Sequence, residues 1–157
     1  MIELNSKIKE ALIKMNFIER YEHLSNKFNA ERTPSEDRLI YIDGEEVMEM
    51  IQNLKYIPMF DAKEKFYKIK EEQMGKYTFG VHMVLRDGMV DMVWIVKEND
   101  NLLLGAPWST YSRRILDRNY RIKKPIFGTY EDLEEIIEIT FKMYEDFKRI
   151  LMNISNT

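Results

Sequence analysis

The stretch that decides the fold is residues 76–97, KYTFGVHMVLRDGMVDMVWIVK, two alternating runs joined by Asp87 and Gly88. Asp-Gly between runs rich in Val, Met and aromatic residues predicts a type I′ turn, because both central residues of that turn need a positive φ. A two-residue turn fixes the register, which places Val81 opposite Trp94. The pattern therefore predicts a β-hairpin with one face that is apolar along its whole length.

The other face of this hairpin is mixed. It carries Thr78, Gly80, His82, Val84 and Arg86 opposite Lys97, Ile95, Val93, Asp91 and Met89. An antiparallel sheet can bury one face and leave the other in contact with water. We therefore expect the mixed face to stay partly exposed.

The second clear element is a helix near the C-terminus. Thr129 as N-cap with Asp132 three residues later makes a capping box, and acidic residues in the first turn complement the helix dipole. Apolar positions then recur in steps of three and four, at Leu133, Ile137, Tyr144, Phe147, Leu151 and Ile154. This stripe predicts a long helix that lies across the apolar face of the hairpin.

Two helical patterns precede the hairpin. The first covers about residues 3–28, either as one long helix or as two short helices that meet near Asn16. The second begins with Asp43 as N-cap and ends before Pro58. Between the two patterns, residues 39–42 favour a short strand.

Further strands are predicted on both sides of the hairpin. Residues 65–72 alternate enough to pair with it, and their many charges indicate an edge strand. Residues 102–104 start another strand after a four-residue turn, which places Gly105 opposite Trp94 and leaves room for the indole or for a ligand. Residues 111–122 are predicted as an irregular strand or hairpin.

Length and composition are those of a globular domain. A chain of 157 residues buries roughly 70% of its unfolded surface, enough for a core without disulfides or metals. The order of elements predicts a single α+β domain, residues 1–157. In it, an antiparallel β-meander of four to five strands is covered by N-terminal helices and a long C-terminal helix. The chain has no cysteine and shows neither a signal-peptide pattern nor a membrane span, so we expect a cytoplasmic protein.

Motifs that would mark an enzyme do not occur in the sequence. It contains no GxxxxGK[ST], GxGxxG, HExxH or GxSxG pattern. His23 lies on a predicted helix among charged residues and is expected to be solvated. His82 lies on the mixed face near Asp91 and Arg86, either as a general base or as a hydrogen-bonded structural residue. Carboxylates at helix starts are accounted for by capping, so we predict a non-enzymatic protein without cofactor or metal.

Charge is distributed unevenly along the chain. The net charge is −3, yet residues 111–124 hold six basic residues against Asp117 alone. We call residues 108–124 the basic aromatic segment. The candidate binding residues are Trp108, Tyr111, Arg113, Arg114, Arg118, Tyr120 and Arg121 of this segment, with His82 from the hairpin.

Three interpretations of the basic aromatic segment remain open. Arginine and aromatic residues carry much of the energy of protein interfaces, which favours a protein partner. The same mixture can bind a phosphate or stack a nucleotide base, and a small-ligand pocket beside Gly105 would be lined by His82, Trp94, Trp108 and the arginines. Alternatively, Arg113, Arg114 and Arg118 pair with the acidic helices in a surface network.

The chain also resembles a known class of proteins. The resemblance covers the general architecture and two runs, LLLGAPWSTYSRRIL at residues 102–116 and PIFGTYEDLEEI at residues 125–136. A small, acidic, cysteine-free α+β chain with these runs resembles the standalone immunity proteins of bacterial polymorphic toxin systems. The resemblance implies a protein that neutralises a toxin by covering its active site, and it carries over no individual functional residue.

These observations predict a cytoplasmic, toxin-neutralising protein that acts by binding a protein partner such as a toxin domain, and not a membrane. Its contacts are expected on the uncovered sheet face or on exposed aromatic rings of the basic aromatic segment. The alternative is a module that binds a small ligand or nucleic acid through that segment. The extra apolar positions Ile139 and Phe141 on the last helix offer a surface for a homodimer.

Overall fold

The structure is a computed structural model that describes residues 3–156. Within them the helices are α1 (Ser6–Lys14), α2 (Phe17–Lys27), α3 (Gly44–Asn53), α4 (Trp108–Ile115) and α5 (Tyr130–Ser155). The strands are β1 (Pro58–Asp61), β2 (Phe66–Ile69), β3 (Glu72–Met74), β4 (Tyr77–Arg86), β5 (Met89–Glu98) and β6 (Asn101–Leu104). They form one antiparallel sheet in the order β1-β2-β4-β5-β6, with β3 also paired to β4. The predicted α+β class is confirmed.

The central hairpin has the predicted register. β4 and β5 pair over ten residues each, with Val81 opposite Trp94. The turn residues Asp87 and Gly88 have φ values of 55° and 72°, as a type I′ turn requires. A Cβ on Gly88 would lie 2.7 Å from the Cβ of Arg38, so both the turn conformation and the neighbouring loop require glycine here.

Helix α5 covers the apolar face of the hairpin, as predicted. The ring of Phe147 stacks on Trp94 with centroids 4.8 Å apart and meets the ring of Phe79 edge-on at 6.3 Å. The N-cap is also as predicted, since the Thr129 hydroxyl oxygen accepts a hydrogen bond from the Asp132 N–H at 3.0 Å. The core therefore lies between this face of the sheet and the helices.

The N-terminal helical pattern forms two helices, the second of the two predicted alternatives. The chain turns between α1 and α2 at Asn16, which has a φ of 58°. Phe17 then begins α2 inside the core, where its ring lies 5.0 Å from Trp108 and 5.9 Å from Trp94. Asp43 caps α3 by accepting a hydrogen bond from the N–H of Glu45, as expected of an N-cap.

The prediction of a strand at residues 39–42 is wrong. The Leu39 N–H donates to the carbonyl oxygen of Phe127 at 3.1 Å, and the Asp43 N–H donates to the Tyr130 hydroxyl at 2.9 Å. These bonds tie the segment to a loop and to α5 instead of to a strand ladder. β-propensity alone could not show which partner the backbone would find.

Residues 65–72 do pair with the hairpin, but they do not form one edge strand, since among the described strands only β3 pairs with β4 alone. They are divided between β2 and β3, and β2 lies between β4 and β1, a strand that the sequence pattern did not reveal. Of the charged residues that indicated an edge, only Lys68 lies within β2, and the others flank this strand or belong to β3. Tyr67 and Ile69 are buried in the core, whereas Lys68 lies on the opposite, half-exposed face.

The predicted register of β6 is also wrong. The turn before it contains only Asn99 and Asp100, and a β-bulge follows, so that Val96 pairs with Leu104. Gly105 therefore does not face Trp94, and a Cβ on Gly105 would meet the side chain of Leu102 instead.

The prediction of a strand or hairpin at residues 111–122 is wrong as well. Trp108, Tyr111 and Ser112 are buried at helical spacing, and they form one side of α4. Just before α4, Pro107 forms a single bridge with Val93, and after α4, Ile126 forms one with Met89, so both flanks of the helix are tied to β5.

The proposed dimer surface on α5 is not available as predicted. Phe141 is buried, and its ring packs 4.7 Å from the ring of Tyr56. Ile139 is partly buried against the core. Among the residues described, no helix combines the length and the apolarity that crossing a bilayer requires.

Candidate functional site

The aromatic residues that begin the basic aromatic segment belong to the core. Trp108 and Tyr111 are fully buried, and Trp108 meets the ring of Trp94 edge-on at 5.1 Å. The expectation that these two rings are exposed for a partner is therefore wrong. The composition of the segment indicates that its aromatic rings become buried in a contact. The helical geometry of α4 places that contact in the protein's own core and not in an interface with a partner.

Tyr111 joins α4 to the central hairpin. Its hydroxyl donates to the carbonyl oxygen of Ala106 at 2.8 Å and accepts from the Trp94 N–H at 3.2 Å. Burial raises the pKa of Tyr111 above its ordinary value. The residue is therefore a neutral structural connection and not a surface contact.

The arginines of the segment are not paired with the acidic helices. Arg113 and Arg114 are half-buried, whereas Arg118 and Arg121 are exposed. Within residues 3–156, none of these four guanidinium groups lies within ion-pair distance of a carboxylate, although Lys124 approaches Asp91 at 3.4 Å. The interpretation as a surface network is therefore wrong for Arg113, Arg114 and Arg118.

Tyr120 stands apart from the other aromatic residues of the segment. It is half-buried, and its hydroxyl donates to the carboxylate of Glu22 on α2. Arg121 donates to the backbone carbonyl of Arg118 at 2.8 Å. The exposed part of the basic aromatic segment is thus a basic loop that contains Arg118 and Arg121, and the aromatic rings of the segment are buried or half-buried.

The mixed face of the sheet is the larger candidate surface. We call it the open face, because the helices bury their apolar side chains in the core on the other side of the sheet. Its apolar members are partly exposed on five strands: Met59, Phe66, Val84, Met89, Val93, Ile95 and Leu102. Leu102 is 63% exposed. The strands thus present an apolar surface on a hydrogen-bonded backbone.

A shallow depression of about 690 Å³ lies in the middle of the open face. We call it the open-face basin. Its lining consists of Met59, Lys68, Ile69, Lys70, Glu71, Gly80, His82, Val93, Ile95, Lys97, Leu102 and Gly105. Gly80 on β4 has no side chain, and its position is flanked by Ile95 on β5 and by the side chain of Glu71, which lies between β2 and β3.

The basin carries more positive than negative charge. Lys68, Lys70 and Lys97 line it against a single carboxylate, Glu71. Lys97 approaches Glu71 at 3.4 Å, and in the described chain neither Lys68 nor Lys70 has a carboxylate within ion-pair distance. The basin is therefore a local positive surface on a chain of net charge −3.

His82 lies at the side of this basin. Its ring stacks on Phe66 with centroids 4.4 Å apart, and Lys68 is its register partner on β2. Burial lowers the pKa of His82 below 6.5, and the charge of Lys68 lowers it further, while Glu71 and Asp61 act in the opposite direction. His82 is consequently a neutral ring near pH 7, available to accept or donate one hydrogen bond.

Among residues 3–156, no carboxylate is hydrogen-bonded to the His82 ring. Its ring forms no hydrogen bond to another described residue, and its neighbours are Phe66 and Lys68 in place of the predicted Asp91 and Arg86. Among residues 3–156, no group of three or more acidic or histidine side chains is arranged to hold a metal ion. His23 is exposed, as expected.

The predicted ligand pocket beside Gly105 is only partly assembled. His82 and Gly105 share the open-face basin, but Trp94 and Trp108 lie on the opposite, buried side of the sheet. Sequence reasoning missed Phe66 and Lys68, which lie on β2, and Lys70, which directly follows this strand. The alternation in residues 65–72 carried that signal, since it places Phe66, Lys68 and Lys70 on one face.

Comparison of the chain with protein-family models, with curated proteins and with solved structures found no match in any of the three. The resemblance of residues 102–136 to immunity proteins gains no support from these comparisons. Function is therefore inferred from the geometry of the open face together with that resemblance.

Proposed function

We propose that this protein binds and neutralises a bacterial toxin domain, and that it docks onto the toxin with the open face of its sheet. The observation that carries the proposal is the open face itself, where Phe66, Val93 and Ile95 are only half-buried and Leu102 is largely exposed. A contiguous apolar surface with a charged rim is typical of a protein interaction site.

The backbone beneath this surface favours tight association. β4 and β5 pair over ten residues and are flanked by β2 and β6, so the strands that carry the contact residues are fixed before binding. A surface that is already ordered loses little conformational entropy when a partner arrives. The open face thus suits a rigid inhibitor that covers another protein.

Neutralisation of this kind requires shape and charge, but no chemical step. The resemblance to immunity proteins implies that the toxin is blocked where its active site is covered. The open face is the broad surface that would provide such a cover, because the partly exposed side chains of Phe66, Val93 and Ile95 and the exposed side chain of Leu102 lie there. The exposed basic loop at Arg118 and Arg121 provides a second, smaller contact.

The direct test is co-expression with the product of the adjacent gene, scored by relief of growth arrest and by co-purification. Ile95→Arg places a charged side chain on the open face opposite Gly80, where space exists outside the core. Ile13→Arg is the matched control, because Ile13 is 52% exposed on α1, on the helical side. We expect Ile95→Arg to lose rescue and complex formation and Ile13→Arg to keep both. Rescue by Ile95→Arg at the wild-type level would refute docking by the open face.

A second candidate function is nucleic-acid binding by the basic aromatic segment. The observation that favours it is the set of arginines without carboxylate partners, which leaves their charge free for phosphates. Fluorescence anisotropy with a labelled single-stranded oligonucleotide tests it, with Arg118→Glu and Arg121→Glu as variants. Binding that weakens steeply with salt and in both variants supports this function, and no binding at low salt removes it.

A further inference from the structure

We propose that the partner surface recognised by the open-face basin is acidic, and that a partner carboxylate sits over Gly80 among Lys68, Lys70 and Lys97. This inference rests on the proposed function and adds the chemistry of the partner. It follows from the shape of the basin, from the charges around it and from the apolar residues beside them.

The shape of the basin depends on Gly80. A Cβ at this position would lie 3.6 Å from the side chains of Glu71 and Ile95, which is ordinary contact, and the backbone has no positive φ there. Neither the fold nor a close approach therefore requires glycine. The Glu71 side chain lies beside this position, with its Oε2 3.7 Å from where the Cβ would be, so a partner carboxylate over Gly80 would replace the carboxylate of Glu71 beside Lys97.

The charges around that floor favour an anion. Lys68 and Lys70 have no carboxylate within ion-pair distance among residues 3–156. The contact between Lys97 and Glu71 joins two exposed side chains at 3.4 Å, an interaction that contributes little and is easily exchanged. A partner carboxylate would meet several cations and one carboxylate.

The surroundings favour a protein over a nucleic acid. Met59, Val93, Ile95 and Leu102 line the same basin and would pack against aliphatic side chains of a partner. Single-stranded nucleic acid is usually bound by aromatic rings on which bases stack, but one face of Phe66 is already covered by His82. An acidic side chain flanked by apolar ones fits the basin better than a phosphate chain does.

A defined probe tests the chemistry without knowledge of the partner. The ¹⁵N-labelled protein is titrated with the peptide Ac-Gly-Glu-Glu-Glu-Gly-amide, and the amide signals and the His82 ring are followed by NMR. We expect the amides of Gly80 and His82 to shift, and the pKa of His82 to rise because a nearby carboxylate stabilises the imidazolium. The lysine analogue of the peptide should produce neither change, and salt should weaken the effect.

The inference would be overturned if the acidic peptide shifted neither the Gly80 nor the His82 amide signal, or if the lysine peptide shifted them equally. It would also be overturned if a single-stranded oligonucleotide bound at these residues and the acidic peptide did not. The last result would assign the basin to nucleic acid.

With the toxin partner itself, the inference and the proposed function can fail separately. Lys68→Glu combined with Lys70→Glu should weaken the complex at least about fivefold at low salt. The double variant Lys7→Glu and Lys9→Glu on α1 has the same change in net charge and should alter affinity little. If Ile95→Arg abolishes binding and the Lys68 and Lys70 variant does not, only the acidic-partner inference fails. If Ile95→Arg has no effect, the proposed function fails.

Discussion

Replacement of Lys148 by methionine should destabilise the protein. The Lys148 side chain is 5% exposed, and its Nζ lies 2.9 Å from Glu72 Oε1 and 2.8 Å from Glu145 Oε2. The same Nζ lies 4.3 Å from the centroid of the Tyr144 ring, whose hydroxyl donates to Glu72 at 2.5 Å. This cluster joins α5 to β3. Methionine keeps most of the volume but removes the charge and leaves two carboxylates beside an apolar side chain.

The exposure of the two carboxylates limits the loss. Removal of one partner from a fully buried ion pair costs about 3–5 kcal/mol, because the remaining charge cannot be hydrated. Here the side chains of Glu72 and Glu145 are 36% and 53% exposed, so water can reach both. We therefore expect a loss of about 2 kcal/mol in the free energy of unfolding. In a chain of this length that loss lowers Tm by about 4–8 °C.

Urea denaturation measures the difference, with Lys142→Met as the matched control on the same helix. Lys142 is 74% exposed and lies 3.8 Å from Asp146, so its replacement should cost less than about 0.5 kcal/mol. If the two variants lose equal stability, the buried cluster is no stronger than a surface pair. If Lys148→Met is more stable than the wild type, the cost of burying the ammonium group outweighs its ion pairs.

Three further predictions concern the turn, the basin and the core. Gly88→Ala should lower the free energy of unfolding by about 1–3 kcal/mol in urea denaturation, because residue 88 has a positive φ and a Cβ there would overlap with the neighbouring loop. Gly80→Ala should change this free energy little. Equal losses in the two variants would refute the turn argument. The pKa of His82 followed by NMR should lie below 6.5, and Lys68→Gln should raise it part of the way. Because the unfolded chain takes up this proton first as pH falls, the contribution of His82 to stability is present above about pH 6.5 and is lost below it; a measured pKa at or above 6.5 contradicts this assignment. Trp108→Ala should cost about 3–5 kcal/mol because the ring is buried, and an unchanged urea midpoint would show that the ring is not in the core.

The parts of the fold that could be predicted are those with local signals. Asp87 and Gly88 determine the turn by their own backbone preferences, and the turn then sets the register of the hairpin. Helix α5 is predicted by its cap and by its periodic apolar positions. In contrast, β1 is four residues long and begins at Pro58, so it had little pattern of its own.

The orientation of the basic aromatic segment could not be read from composition. Arginine and aromatic residues are common both in interfaces and at the boundary of a core, and only the helical spacing of Trp108 and Tyr111 indicates the buried side. A stretch that is rich in arginine and aromatic residues is therefore a poor predictor of where a protein binds its partner.

The open-face basin was difficult to predict for a different reason. Its residues come from strands that are far apart in sequence, from Met59 on β1 to Leu102 on β6. Only His82 and its neighbours on the hairpin were assigned to the mixed face from the sequence. Lys68 on β2 and Lys70 just after it could be added only when the pairing of β2 with β4 was known.

The most direct test of docking by the open face is cysteine protection in the complex with the product of the adjacent gene. The natural chain has no cysteine, so a single introduced thiol reports on one position. Leu102→Cys lies in the open-face basin, and Arg118→Cys lies in the exposed basic loop. We predict that the partner slows maleimide labelling of Leu102→Cys strongly and of Arg118→Cys much less. Labelling of Leu102→Cys at the rate of the free protein, with Arg118→Cys protected, would contradict docking by the open face.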